Sequence, residues 1–133
     1  MSMPFGLDDY EQYARNNPFM YYNHIELCSV SPERSVVKLT LAEESRNLHG
    51  TVHGGLIYAM ADCVAGITAR AEGRDYVTQS AHMNFLGNVK DGDVFSDATV
   101  VKRGRRQVIL HVRVYTAGEK LLADGVVDMF AAE

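Results

Sequence analysis

The stretch that most constrains the fold runs from Leu56 to Ala71. It contains no proline and one glycine, and it shows no polar face before Arg70. Leu56, Ile57, Tyr58, Ala59, Met60, Ala61, Cys63, Val64, Ala65 and Ile67 cover nearly the whole circumference of a helix. Such a helix has no side to give to water and is normally enclosed by other structure. In its middle stands Asp62, the only carboxylate between Asn47 and Ala69. A lone carboxylate among apolar residues is costly unless it is paired or hydrogen-bonded. Asp62 is therefore either locally capped or paired, or kept for chemistry.

The same helix begins at Gly54-Gly55, after a loop that also holds Gly50. Backbone N–H groups at a helix start have no intrahelical acceptor, and the helix dipole adds positive potential there. Glycines leave such groups open to an anion or a developing oxyanion, although a plain loop-to-helix turn uses glycine too. Gly54 and Asp62, eight residues apart, are separated by about 12 Å along one helix, so one carbonyl group cannot meet both. Two such helices packed antiparallel about a two-fold axis bring Gly54 of one chain to Asp62 of the other, making two identical composite sites.

The rest of the chain reads as cover for this helix. Residues 7–16 suit a short helix, with Asp8 and Asp9 at its start and Pro18 at or just beyond its end. Phe19 to Tyr22 form an aromatic cluster that either packs on the domain or lines a pocket. Alternation at Ile25 and Leu27 and at Val37, Leu39 and Leu41, around Ser31-Pro32-Glu33, predicts a hairpin. The central helix is expected to end near Gly73. After it come four strands: 76–86, 94–103, 107–116 and 121–130. In the third of these, Val108, Leu110, Val112 and Val114 share one face, opposite Gln107, His111 and Arg113. At 133 residues the chain is one domain, 1–133. The class is α+β, a long antiparallel sheet of about six strands curved around one long helix.

Asn47-x-x-Gly50-x-x-His53-Gly54-Gly55, with Asp62 eight residues after Gly54, resembles the motif of hotdog-fold acyl-CoA thioesterases. The similarity is to the PaaI-like branch, the phenylacetic acid degradation thioesterases. It is carried by residues 47–84; before Asn47 only the architecture matches. The resemblance implies hydrolysis of an aromatic or short- to medium-chain acyl-CoA to free acid and CoA. Coenzyme A enters only as part of substrate and product, with no separate cofactor. It implies the Gly54 N–H as carbonyl polariser and Asp62 of the partner subunit as nucleophile or general base. Asn47 is implied near the thioester or the attacking water. Ser80 occupies a position where relatives hold that water; it also shares an alternating strand face with Thr78, His82 and Asn84, as a plain polar sheet residue would. His53 is implied mainly to position the loop, with a catalytic role as the sharper alternative. The implied assembly is a homodimer with shared sites, paired again into a homotetramer.

Lys102, Arg103, Arg105 and Arg106 are four of the thirteen Lys and Arg, clustered around Gly104 in a chain of net charge −4. They suit phosphates, here those of the coenzyme A nucleotide, or else a solvated turn; Lys90 is a weaker candidate. The net negative charge argues against a nucleic-acid partner. His49, His53 and Asp62 do not make a convincing metal set, and no metal is expected. Cys28 and Cys63 show no metal or disulfide spacing, and Cys63 reads as an inert thiol. The N-terminal residues lack the pattern of a leader peptide and no apolar run is long enough to span a membrane, so a cytoplasmic location is expected. Two rival functions share the fold: a non-catalytic acyl-CoA binding or sensing protein, and a hydratase or dehydratase built on a His–carboxylate pair.

Overall fold

The computed structural model describes residues 10–132. In chain order the elements are α1 (Tyr10–Arg15), α2 (Pro18–Tyr22), β1 (Ile25–Ser29), β2 (Arg34–Thr40), a 3₁₀ turn (Glu43–Ser45), α3 (Gly54–Arg70), β3 (Tyr76–Phe85), β4 (Asp93–Arg103), β5 (Gln107–Thr116) and β6 (Leu121–Ala131). The strands form one antiparallel sheet in the order β1-β2-β4-β5-β6-β3. This curved sheet around one long helix is the hotdog arrangement expected from the sequence. Among the described residues, no helix is long and apolar enough to cross a membrane.

Alternation builds the inner face. Val37 and Leu39 of β2, Val94 and Ala98 of β4, and Val108, Leu110, Val112 and Val114 of β5 are all fully buried. They meet Met60, Ala61, Val64, Ala65 and Ile67 of α3 in one core. Burial of each large apolar side chain contributes about 1.5–3 kcal/mol relative to exposure. The helix ends on a prepared platform. Arg103 donates through Nη1 to the Ala69 carbonyl at 3.1 Å and through Nη2 to the Thr68 carbonyl at 3.2 Å and the Pro32 carbonyl at 2.6 Å. Its cation thus satisfies terminal carbonyls at the negative end of the helix dipole. Gly73, at φ +116, turns the chain back toward β3.

Two parts of the chain are only partly covered. The 19–22 cluster packs on the domain through Met20 alone. Pro18 starts a new helix, α2, where its missing N–H costs nothing. That helix buries only Met20, leaving Phe19, Tyr21 and Tyr22 exposed. Nor is α3 enclosed on every side by the described residues. Gly54, Gly55, Tyr58, Ala59, Asp62 and Cys63, spaced at helical intervals, form a stripe that the sheet does not bury. The start of the expected N-terminal helix, with Asp8 and Asp9, lies outside the described residues.

β3 flanks that open stripe and is held to the sheet only by β6. Gly125 of β6 lies opposite Met83. A Cβ there would collide with the His82 carbonyl oxygen and come within 2.6 Å of Met83 Sδ. Gly125→Ala is expected to destabilise the fold by about 1–3 kcal/mol or more through overpacking. Chemical denaturation read by circular dichroism measures the loss, and an unchanged midpoint would contradict this packing.

Candidate active site

The loop before α3 is held from inside and outside. Asn47 Oδ1 accepts the His49 N–H at 2.9 Å, the Thr51 N–H at 3.1 Å and the Thr51 hydroxyl at 3.1 Å. The Asn47 carboxamide thus folds its own loop, a local closure that Asn side chains favour. From outside, Asn88 grips Val52 as a paired strand would: its Oδ1 accepts the Val52 N–H at 3.1 Å and its Nδ2 donates to the Val52 carbonyl at 2.9 Å. Arg46 adds a bond from Nη1 to the Gly50 carbonyl at 2.9 Å. Asn88 was not among the residues singled out from the sequence, because its partner lies 36 positions away.

At the helix start the N–H groups sort themselves. His53 is the N-cap, and its Nδ1 accepts the Gly55 N–H at 2.9 Å. The His53 carbonyl accepts the Leu56 N–H at 3.0 Å and the Ile57 N–H at 3.1 Å. The Gly54 N–H alone is left without an acceptor among the described residues of this turn. Glycine at 55 leaves room for the cap, since a Cβ there would crowd His53 Nδ1 at 3.0 Å. His53 is therefore placed as a positioning group, with its Nδ1 lone pair committed to the backbone.

Gly54 opens into a groove of about 590 Å³, lined by Gly54, Gly55, Tyr58, Ala59, Asp62, Thr78, Ser80, Ala81 and Phe85. The Tyr58 and Phe85 rings lie 6.5 Å apart at 32° and form an aromatic wall, and the Tyr58 hydroxyl donates to the Ala81 carbonyl at 3.3 Å. Met60, on the opposite side of the helix, is fully buried in the core. Asp62 accepts the Thr78 hydroxyl on Oδ1 at 2.6 Å.

Simple alternation would put Thr78 and Ser80 on one face of β3, and the structure separates them. Thr78 pairs with Met129 and Ser80 with Asp128, the adjacent residue of β6, so Gln79 is bulged out of the ladder. Thr78 faces the helix. The Ser80 hydroxyl turns the other way and donates to Asp128 Oδ2 at 2.8 Å, although Ser80 still borders the groove. Thr78 is thus the hydroxyl that meets Asp62.

The basic residues divide as well. Arg103 is spent on the end of α3 and on Glu72, 3.1 Å away, and is not free for a phosphate. Lys102, Arg105 and Arg106 surround the β4–β5 turn. That turn lies beside the start of β3, where Arg74 donates to the Arg105 carbonyl at 2.6 Å and Gln107 to Gln79 at 2.6 Å. Lys90 lies at the other end, where its carbonyl accepts a bond from Arg46. Within one chain these cations lie toward opposite ends of α3. No group of His, Cys, Asp or Glu suited to a metal ion occurs among the described residues.

The model of the thioesterase superfamily matches residues 49–123. The chain is 30% identical over 89 residues to a protein of Deinococcus radiodurans, and the match spans 66% of this chain and 60% of that protein. It is 28% identical over 105 residues to acyl-coenzyme A thioesterase 13 of Pongo abelii, spanning 76% of this chain and 75% of the relative. Among solved structures it resembles a mutant of the phenylacetic acid degradation protein PaaI of Thermus thermophilus, at 29% identity and a TM-score of 0.80 over 86% of this chain and 98% of that one. A Streptococcus mutans protein, smu.793, bound to acetyl CoA, matches at 25% identity and a TM-score of 0.77 over 81% and 88% of the two chains.

A thiol follows Asp62 in the sequence. Cys63, beside Asp62, is half-buried; burial, reinforced by the neighbouring carboxylate, pushes its thiol up to about 12. The thiolate is the reactive form, so at pH 8 only about one Cys63 in ten thousand is competent. Burial also raises the thiol of Cys28, but that residue is exposed. Iodoacetamide at pH 8 is therefore expected to label Cys28 first and to reach Cys63 only after denaturation, as peptide mass mapping would show. Rapid native labelling of Cys63 would refute this placement.

Proposed function

Since the chain belongs to the thioesterase superfamily, we propose that the groove beside α3 is half of an acyl-CoA thioesterase active site, completed by a second copy. The observation that carries this reading is the pairing, in one apolar groove, of a single unsatisfied helix N-terminal N–H at Gly54 with a carboxylate at Asp62. The separation of about 12 Å along the helix leaves each group short of what a thioester needs. A second helix laid antiparallel on the open stripe supplies the other half, and also covers apolar surface that the described residues leave uncovered.

In the composite site the Gly54 N–H of one subunit faces the thioester oxygen and stabilises the negative charge that grows on it, aided by the helix dipole. The partner subunit's Asp62 then acts in one of two ways. Its carboxylate attacks the carbonyl carbon, forming a mixed anhydride and expelling the CoA thiolate, and water later opens the anhydride. Alternatively, it takes the proton of a water that attacks directly. Both routes end in free acid and CoA thiol. Asn47 and His53 shape the loop that presents Gly54, and Ser80 borders the same groove. Tyr58, Ala59, Ala81 and Phe85 suit an aromatic or short- to medium-chain acyl group. A dehydratase role fits less well, because His53 Nδ1 is already occupied by the Gly55 N–H.

The antiparallel arrangement also draws the separated cations together. It brings Lys90 of one subunit toward the partner's Lys102, Arg105 and Arg106, a composite surface for the coenzyme A phosphates. The full assembly proposed is two such dimers paired into a tetramer, measurable by light scattering.

The shared site can be tested by complementation. Gly54→Pro deletes one N–H at a helix position where proline is favoured, after a His53 whose φ −61 and ψ 132 already suit a following proline. Gly54→Pro and Asp62→Asn are each expected to lower kcat at least about a hundredfold. Refolded together, they are expected to recover about a quarter of wild-type activity, because half of the dimers then carry one intact site of two. No recovery would place both groups in one chain's site. Separately, Arg105→Ala/Arg106→Ala is expected to raise KM for acyl-CoA about tenfold with kcat unchanged, the difference shrinking at high salt. An unchanged KM would remove this turn from the phosphate surface.

A further inference from the structure

The bulge at Gln79 leaves Thr78 on the helix side of β3 and turns Ser80 to the other. Within β3, Thr78, Ala81, Met83 and Phe85 lie opposite Met129, Val127, Gly125 and Ala123 on the helix side, while Ser80, His82 and Asn84 lie opposite Asp128, Val126 and Asp124 on the other. The Thr78 hydroxyl has two acceptors within reach, Asp62 Oδ1 at 2.6 Å and Met129 Sδ at 3.5 Å. A hydroxyl donates one proton, and the short contact to a carboxylate is the stronger of the two. Asp62 Oδ1 is thereby occupied. Oδ2 has no partner among the described residues and belongs to a side chain that lines the groove.

On the thioesterase reading above, we propose that Thr78 is a positioning residue for Asp62. Its hydroxyl fixes the carboxylate plane, so that one oxygen is tied down and the other is held toward the thioester carbon or the water that attacks it. A carboxylate without this bond rotates about its terminal torsion, which is broad. The β-branched Thr78 side chain has few rotamers, so the anchor is stiff. Thr78 touches Asp62 and not the reacting atoms; its contribution lies in keeping the attacking oxygen in near-attack geometry.

The test is steady-state CoA thiol release by wild type, Thr78→Val, Thr78→Ala, Thr78→Ser, Met129→Leu and Asp62→Asn, each checked for fold by circular dichroism. Thr78→Val and Thr78→Ala are expected to lower kcat about ten- to a hundredfold, the loss of one hydrogen bond to a charged group, with KM unchanged. Thr78→Ser keeps the donor and is expected to restore kcat to within a few-fold of wild type. Met129→Leu removes only the sulfur contact and is expected to leave kcat as it was. Wild-type kcat in a folded Thr78→Val or Thr78→Ala, with Asp62→Asn inactive, would overturn the role of Thr78 and leave the thioesterase reading standing. A Thr78→Ser variant as impaired as Thr78→Val would also overturn it, since the hydroxyl would then not be what matters. If wild type released no thiol from any acyl-CoA, the thioesterase reading itself would fall, and this role with it.

Discussion

A seventeen-residue helix with almost no polar face has to be wrapped, and the wrapping sets the rest of this structure. Six antiparallel strands curve around α3 and bury Met60, Ala61, Val64, Ala65 and Ile67 completely. Their edges do not meet over the helix. β1 and β3 are the two ends of the sheet, and the stripe from Gly54 to Cys63 lies uncovered beside β3. Burial of apolar surface is the dominant favourable term in folding and in most association. The same term that curls the sheet around the helix therefore favours a second molecule on the stripe.

The two ends of α3 are treated in opposite ways, and the contrast explains the site. At the C-terminal end Arg103 fills the carbonyls of Thr68 and Ala69 and the helix is closed off. At the N-terminal end His53 and its carbonyl take three N–H groups and leave Gly54 open. Positive potential is thus kept at the N-terminal end, while the negative potential of the C-terminal end is quenched. Asp62 stands between them, tied through Oδ1 to Thr78 on the neighbouring strand. A helix and a strand each deliver one group, so the geometry depends on how α3 packs against β3.

Much of this was legible in order along the chain. Alternation at Val108, Leu110, Val112 and Val114 told the buried face of β5, and every one of these residues is fully buried. Glycines and Pro32 marked the turns, and the strands fall within a residue or so of the expected spans. Other features were not legible, for identifiable reasons. The bulge at Gln79 shifts the phase of β3 by one residue and turns Thr78 and Ser80 to opposite faces. It arises in the pairing with β6, which has no local signature. Arg103 looked like part of a basic cluster; it is drawn away by helix carbonyls 34 and 35 positions earlier. Asn88 serves the loop at Val52 for a similar reason.

By itself the sequence determined that one apolar helix carries a single carboxylate, that glycines open its start, and that alternating strands surround it. These are local properties, set by side-chain type and by the periods of helix and strand. Tertiary structure alone decided which hydroxyl meets Asp62, which arginine closes α3, and which stripe of the helix stays open. Each of those depends on strand register and on contacts between distant positions, where a one-residue shift reverses the face that a side chain occupies.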